Sequence, residues 1–434
     1  MKQDQGISLQ RGIHRWDLIL LFINSVIGAG IFGLPSKIFA LSGLYSLLAF
    51  VACAVVVMVF VLCFAEVSSQ FDKTGGPYLY TLTAFGRLPA FIMGWLFMLS
   101  RIFNYATLIN LMTEYLPYFS ASLGSPGVRV ICILLLTALL SYINYLGVRN
   151  SARINNILTV SKLLPLTAFI FIGLFNIEPS LFSGGKAFEL PSFTASVLFL
   201  IFAFGGFESI LVNSGEIERP QKNIPFALIV STVVIAIYYC LIQLVCIGSL
   251  PGLATSDRPL AEAAAGFMGP WGGGLIVAGA LISITGTLNV LLLSGSRMPY
   301  ALSLEKQLPP VFTTVHPKYL TPTWSLIAMG AAIAIVSLLW SFITALAVAS
   351  VIRVLVYLIV CAALIKLRKQ NANTSGKAHF KLRYGRPLAL TGIGLSFWLL
   401  SATKQNEIVS VSVCILAGLV LYFIFARPKA GDKG

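Results

Sequence analysis

Residues 24–35 read Asn24-Ser25-Val26-Ile27-Gly28-Ala29-Gly30-Ile31-Phe32-Gly33-Leu34-Pro35, inside the first long apolar run of the chain. Three glycines within six residues each weaken a helix by roughly 1 kcal/mol relative to alanine. Pro35 has no N–H to give the carbonyl of Ile31. A helix that breaks here bares backbone groups at mid-depth. Such groups survive in an apolar medium only where a ligand, an ion or trapped water satisfies them.

A second stretch does the same: Phe202-Ala203-Phe204-Gly205-Gly206-Phe207-Glu208 puts adjacent glycines and an acid into another apolar run. Either cluster alone also fits close helix packing through small residues. The pair says more. Working outward, twelve apolar spans are expected, at about 17–41, 44–69, 88–116, 129–147, 154–176, 193–214, 224–250, 271–301, 323–340, 342–366, 387–404 and 407–426. The breaks fall in spans one and six. Those spans lie an odd number apart, so they run in opposite directions, as in an inverted repeat with a site where the broken helices meet. Half-helix N-termini would face a carboxylate and half-helix carbonyls an ammonium, which suits a zwitterion.

Composition supports the membrane reading. Of 434 residues, 57% are hydrophobic and 10% charged, against about 25% charged in soluble domains. The mean hydropathy is +0.89. The formal charge of +15 resides mostly in short loops, where Lys and Arg act as topology determinants rather than a nucleic-acid surface. With the N-terminus inside, the outer segments hold only Arg129, Lys186, Arg258 and Lys404. Both termini are therefore expected in the cytoplasm of a plasma- or inner-membrane protein. The start, MKQDQGISLQRGIHRWD, is polar and is followed by a run too long for a signal core, so the first span is expected to remain.

The expected organisation is a cytoplasmic N-terminus (1–16), a first five-helix repeat (17–176), a second (193–366), a basic cytoplasmic loop (367–386), two further helices (387–426) and a cytoplasmic tail (427–434). The loop fits topology alone or contact with anionic lipid. The two last helices lie outside the repeat and are free to pack on a partner; the sequence defines no oligomeric state. Cys53, Cys63, Cys132, Cys240, Cys246, Cys361 and Cys414 lie in apolar stretches without metal or disulfide spacing. No metal or other cofactor is expected.

Four strings carry a resemblance: VIGAGIFGLP (26–35), AEVSSQFDKTGGPYLYTLTAFG (65–86), FAFGGFES with GEIERPQKNIPFAL (202–209, 215–228), and SRMPYALSLEKQLPP (296–310). In this order they resemble the amino acid–polyamine–organocation superfamily along its whole twelve-helix length. Ala29 stands where serine is common, and Glu305-Lys306-Gln307 replaces the usual acidic-glycine pair. The resemblance implies an all-α polytopic membrane protein with a LeuT-type 5+5 inverted repeat, helices 1 and 6 broken, and transport of an amino acid.

It also implies a site. Ile27, Ala29 and Gly30 would offer backbone groups to the substrate carboxylate; Phe202, Ala203 and Gly205 would offer carbonyls to its amino group, with Phe202 similar to an aromatic gate. Without a serine hydroxyl at Ala29, the carboxylate would rest on backbone amides. Lys162 resembles the lysine that replaces a sodium ion in sodium-independent members, reaching the first break and Ser283 or Thr285. An ammonium there can give up and regain a proton, which would couple transport to protons. The rival is snorkelling of a long side chain toward the inner surface.

Arg101 resembles an arginine found in some exchangers; it either attracts an acidic substrate or braces neighbouring helices. Glu208 would pair with a cation, carry a proton or cap the resumed helix, and with Phe204 and Arg101 it is a candidate for specificity or gating. Glu66, Asp72 and Lys73 mark an inner gate or loop brace. The apolar lining favours a neutral amino acid, while Arg101 keeps an anionic one open.

Other functions fit less well. A channel needs a continuous polar path or a ring of carbonyls. A membrane enzyme needs converging acid, base or metal ligands, and the only histidines, His14, His316 and His379, sit in polar segments. No phosphate-binding loop supports an ATP-driven pump. The expectation is a secondary active carrier, by proton-coupled symport or exchange without sodium, with another small organocation such as a polyamine as the alternative cargo.

Overall fold

The computed structural model describes residues 14–425 except 29, 72–74, 147–151, 184–185, 212–216, 320 and 371–378, with the side chains of 152–159 also undescribed. Ala29, Asp72, Lys73, much of the basic loop and both extreme termini thus lie outside the described residues. Among those described, regular structure is helical, and the one β-type pairing is a bridge between Val315 and Pro322.

The first apolar run gives two helices, α1 (Arg15–Val26) and α2 (Gly30–Ser42), their axes bent by 49°. There follow α3 (Tyr45–Ser68), α4 (Gly76–Phe85), α5 (Arg87–Tyr115), α6 (Pro126–Tyr145) and α7 (Ala152–Leu174). The next run is again split, into α8 (Leu190–Phe204) and the single turn α9 (Glu208–Leu211). The chain ends with α10 (Pro220–Ser249), α11 (Pro259–Leu304), α12 (Thr323–Leu339), α13 (Phe342–Gln370), α14 (Gly385–Leu400) and α15 (Gln405–Phe425). Within α11, Gly269 takes φ 72° and Pro270 follows it, so a short helix leads into the long one near the expected residue 271.

Seven of these helices are long and apolar enough to cross a bilayer, and the bent pair α1–α2 makes an eighth. The protein is a multi-pass membrane protein. Of the other four expected spans, Gly205-Gly206 cut α8 to 15 residues, α12 stops after 17 at Trp340, α14 has 16, and the fully described part of α7 begins at Val160.

Burial separates a hub from a shell. In the apolar window of α5, 89% of residues are buried, against 11% in that of α15. A helix apolar all round but buried belongs to the core, and α5 packs on α11, α12 and α13. Leu135 and Leu139 on α6, and Val413, Leu416 and Val420 on α15, point outward where lipid would cover them. Around the hub, α1 packs on α7 and α10, and α2 packs on α8. Both breaks are thereby brought to one interior region.

Candidate functional site

The two breaks touch. A Cβ on Gly30 would lie 3.1 Å from the Ala203 Cα and 3.2 Å from the Phe202 ring, so the start of α2 rests on the end of α8. On the other side, Ser25 Oγ donates to the Gly206 carbonyl at 2.7 Å. Gly206 has φ 124°, and a Cβ there would sit 2.3 Å from the Ser25 carbonyl oxygen. Glycine is required on both counts, conformation and space.

Tyr239 of α10 joins the breaks. Its hydroxyl is 3.0 Å from the Ala203 carbonyl and 3.3 Å from that of Val26, and its ring packs on Phe204 at 5.0 Å. At the first break, the Ile27 and Gly28 amides are spent on the Ile23 and Val26 carbonyls. The free donors there are the leading amides of α2, beginning with buried Gly30, because a first helical turn has no intrahelical acceptors. Ile27 therefore contributes shape rather than an amide.

The second break already holds a cation. Arg353 of α13 donates from Nη1 to the Phe202 carbonyl at 2.8 Å, and its Nε lies 3.3 Å from Glu208. The guanidinium fills the space beside Gly205 so fully that a Cβ there would lie 1.9 Å from Nη1. Glu208 also accepts the Gly206 amide at 2.9 Å and lies 3.5 Å from the Tyr357 hydroxyl. Of the three carbonyls expected to meet a substrate amino group, Phe202 is thus taken by Arg353 and Ala203 by Tyr239. That of Gly205 accepts no hydrogen bond among the described residues.

Lys162 is 4% exposed, and its Nζ reaches Thr287 Oγ1 at a long 3.5 Å. Thr287 faces Gly28, with its Oγ1 3.6 Å from where a Cβ would stand. The ammonium is therefore held inside, beside the first break, not snorkelled to a surface. Thr287 takes the part expected of Thr285, whose hydroxyl bonds the Leu281 carbonyl instead. Residues two apart on a helix point to nearly opposite sides, whereas Ser283 and Thr287 share a face. Ser283 is fully buried and its hydroxyl has no partner.

Arg101 is 2% exposed, stacked 4.2 Å from the Phe97 ring and within electrostatic reach of Glu208 and Arg353. Glu66 lies elsewhere, as a brace. It pairs with Arg368 at 2.5 Å and accepts the Leu382 amide at 3.1 Å, while Ser69 holds the Phe380 carbonyl at 3.0 Å. Sequence reasoning missed Arg353, Tyr239 and Thr287. Arg353 had a signal, since an ionisable residue deep in an apolar span is costly enough to mark a site. Tyr239 had none.

Paired helix breaks buried in an apolar bundle, with their cations and hydroxyls turned inward, define a membrane transporter rather than an enzyme. The sequence profile described as "Amino acid permease" matches residues 13–427, and the chain belongs to that family. Three Bacillus subtilis relatives are aligned over nearly their whole lengths. The methylthioribose transporter is 28% identical (99% of this chain, 96% of the relative). The branched-chain amino acid permease BcaP is 27% identical (98% and 94%). The serine/threonine exchanger SteT is 28% identical (99% of each).

Proposed function

We propose that this protein is a secondary active amino acid carrier that works by alternating access and binds its substrate where the two helix breaks meet. The contact of Gly30 with Ala203 and Phe202 carries this reading, because it joins orphan amides of α2 to the carbonyl end of α8. The substrate carboxylate would lie on the leading amides of α2, from Gly30 onward, and its ammonium by the Gly205 carbonyl. The breaks would belong to helices 1 and 6 of a twelve-helix, 5+5 inverted repeat, spanning 17–176 and 193–366, with both termini in the cytoplasm. Lys162, bonded to Thr287 beside Gly28, would stand in the sodium position, making the carrier sodium-independent.

Transport of methylthioribose by one relative favours a second cargo class, a neutral sugar derivative. Uptake by the purified protein in proteoliposomes separates the two. Labelled amino acids enter by the first reading, and methylthioribose but no amino acid by the second.

A further inference from the structure

The carbonyl end of α8 is already met by donors of the protein's own. Arg353 Nη1 donates to the Phe202 carbonyl at 2.8 Å and approaches that of Ile201 at 3.4 Å, and the Tyr239 hydroxyl donates to that of Ala203 at 3.0 Å. An end built to hold an ammonium would keep these last carbonyls for it. The Gly205 carbonyl accepts nothing among the described residues, but the guanidinium stands against Gly205 so closely that a Cβ there would collide with Nη1. An ammonium in that place gains one acceptor and meets a like charge that an apolar interior screens poorly. The Phe202 ring ties this place to the first break, lying 5.7 Å from the Arg353 guanidinium and 3.2 Å from where a Cβ on Gly30 would stand. Nε of Arg353 turns to Glu208 and Nη1 to Phe202, while Nη2 bonds nothing among the described residues. A guanidinium only donates, so it suits a substrate oxygen, which accepts, and gives nothing to an ammonium, which cannot. Charge points the same way. Lys162, Arg353 and Glu208 are buried beside the two breaks, so with Lys162 protonated one positive charge is in excess. A carboxylate without an ammonium balances it; a zwitterion does not.

We infer that the site takes small 2-oxo and 2-hydroxy carboxylates alongside the matching amino acids, with Arg353 standing where an ammonium would otherwise be held. This rests on the reading given above in placing the substrate carboxylate on the leading amides of α2. The oxygen on the second carbon then falls to the guanidinium.

The test measures binding of L-alanine, L-serine, L-leucine, L-glutamate and L-lysine to the purified full-length protein, each beside its 2-oxo and 2-hydroxy counterpart (for alanine, pyruvate and L-lactate). For the best-bound set, the counterparts are expected to bind within about tenfold of the amino acid, the size of one ordinary hydrogen bond. A site built around the ammonium would reject them by about 10⁴-fold. A preference for the amino acid beyond about tenfold overturns the inference. Arg353→Ala/Glu208→Gln removes the resident cation with its counter-charge and frees the Phe202 carbonyl, and is expected to raise the preference for the amino acid at least about tenfold. An unchanged ratio in that variant overturns the inference, because a merely structural arginine would not move it. If the variant fails to fold, the wild-type ratio decides. Counterparts bound without any amino acid uphold the inference and overturn the amino acid reading. Amino acids bound alone sink only the inference, whereas binding of neither sinks both.

Discussion

The Arg353 guanidinium lies 3.3 Å from the Glu208 carboxylate, and neither side chain exposes more than 4% of its surface. The pair spans the gap between α13 and the second break. Its carboxylate also accepts the Gly206 amide and its guanidinium caps the Phe202 carbonyl, so it satisfies backbone groups that the glycines set loose. A buried pair of this kind matters most when one member is lost.

Arg353→Ala or Glu208→Gln is expected to destabilise the protein by about 3–5 kcal/mol, the usual cost of stranding one buried charge. The double variant Arg353→Ala/Glu208→Gln is expected to lose less than the sum of the single losses. Thermal unfolding in detergent, followed by the monodisperse fraction on size exclusion, reads all three. Strict additivity would mean that the two side chains act independently.

Gly205→Ala is expected to abolish the native break, because its Cβ would lie 1.9 Å from Arg353 Nη1. Gly394→Ala, with nothing within 4 Å, is the control and is expected to behave as wild type. Yield of folded protein and substrate binding are the measurements.

Lys162→Ala is expected to uncouple uptake from a pH gradient while leaving equilibrium binding within about tenfold, since the ammonium sits beside the first break and not on the Gly30–Ala203 contact. Uptake in proteoliposomes with and without imposed proton and sodium gradients checks this. A variant that still follows the proton gradient contradicts the role given to Lys162.

Glu66→Gln is expected to loosen the inner brace, removing the charge opposite Arg368 and weakening the hold on Leu382. Amide hydrogen exchange around Phe380 and Leu382 should rise by about tenfold or more, for a loss near 1.5–3 kcal/mol per charged hydrogen bond. Exchange at the α8 break should stay unchanged.

Much of this was legible because glycine and proline punctuate a helix wherever they stand. Both breaks could be placed to within a residue or two from Gly28, Gly30, Gly205 and Gly206. What could not be read was the partner of each freed backbone group, since that depends on helices far away in sequence. Arg353 bonds a carbonyl about 150 positions earlier, and the chain alone shows only a lone charge in a span. Thr285 and Thr287 look equivalent as text; only the rotation of α11 against α7 turns Thr287 toward Lys162.

The Tyr239 hydroxyl sets a clock on any motion that parts α8 from α10. Its nearer acceptor is the Ala203 carbonyl at 3.0 Å, so parting α8 from Tyr239 strands that group, whereas the Val26 carbonyl keeps the Gly28 amide. Leaving such a group unmet costs about 1–3 kcal/mol, and each 1.36 kcal/mol added to a barrier slows its crossing about tenfold. One phenolic proton thus holds the end of α8 in place for roughly ten to a hundred times longer than packing alone, and a ligand that meets the stranded carbonyl shortens that wait.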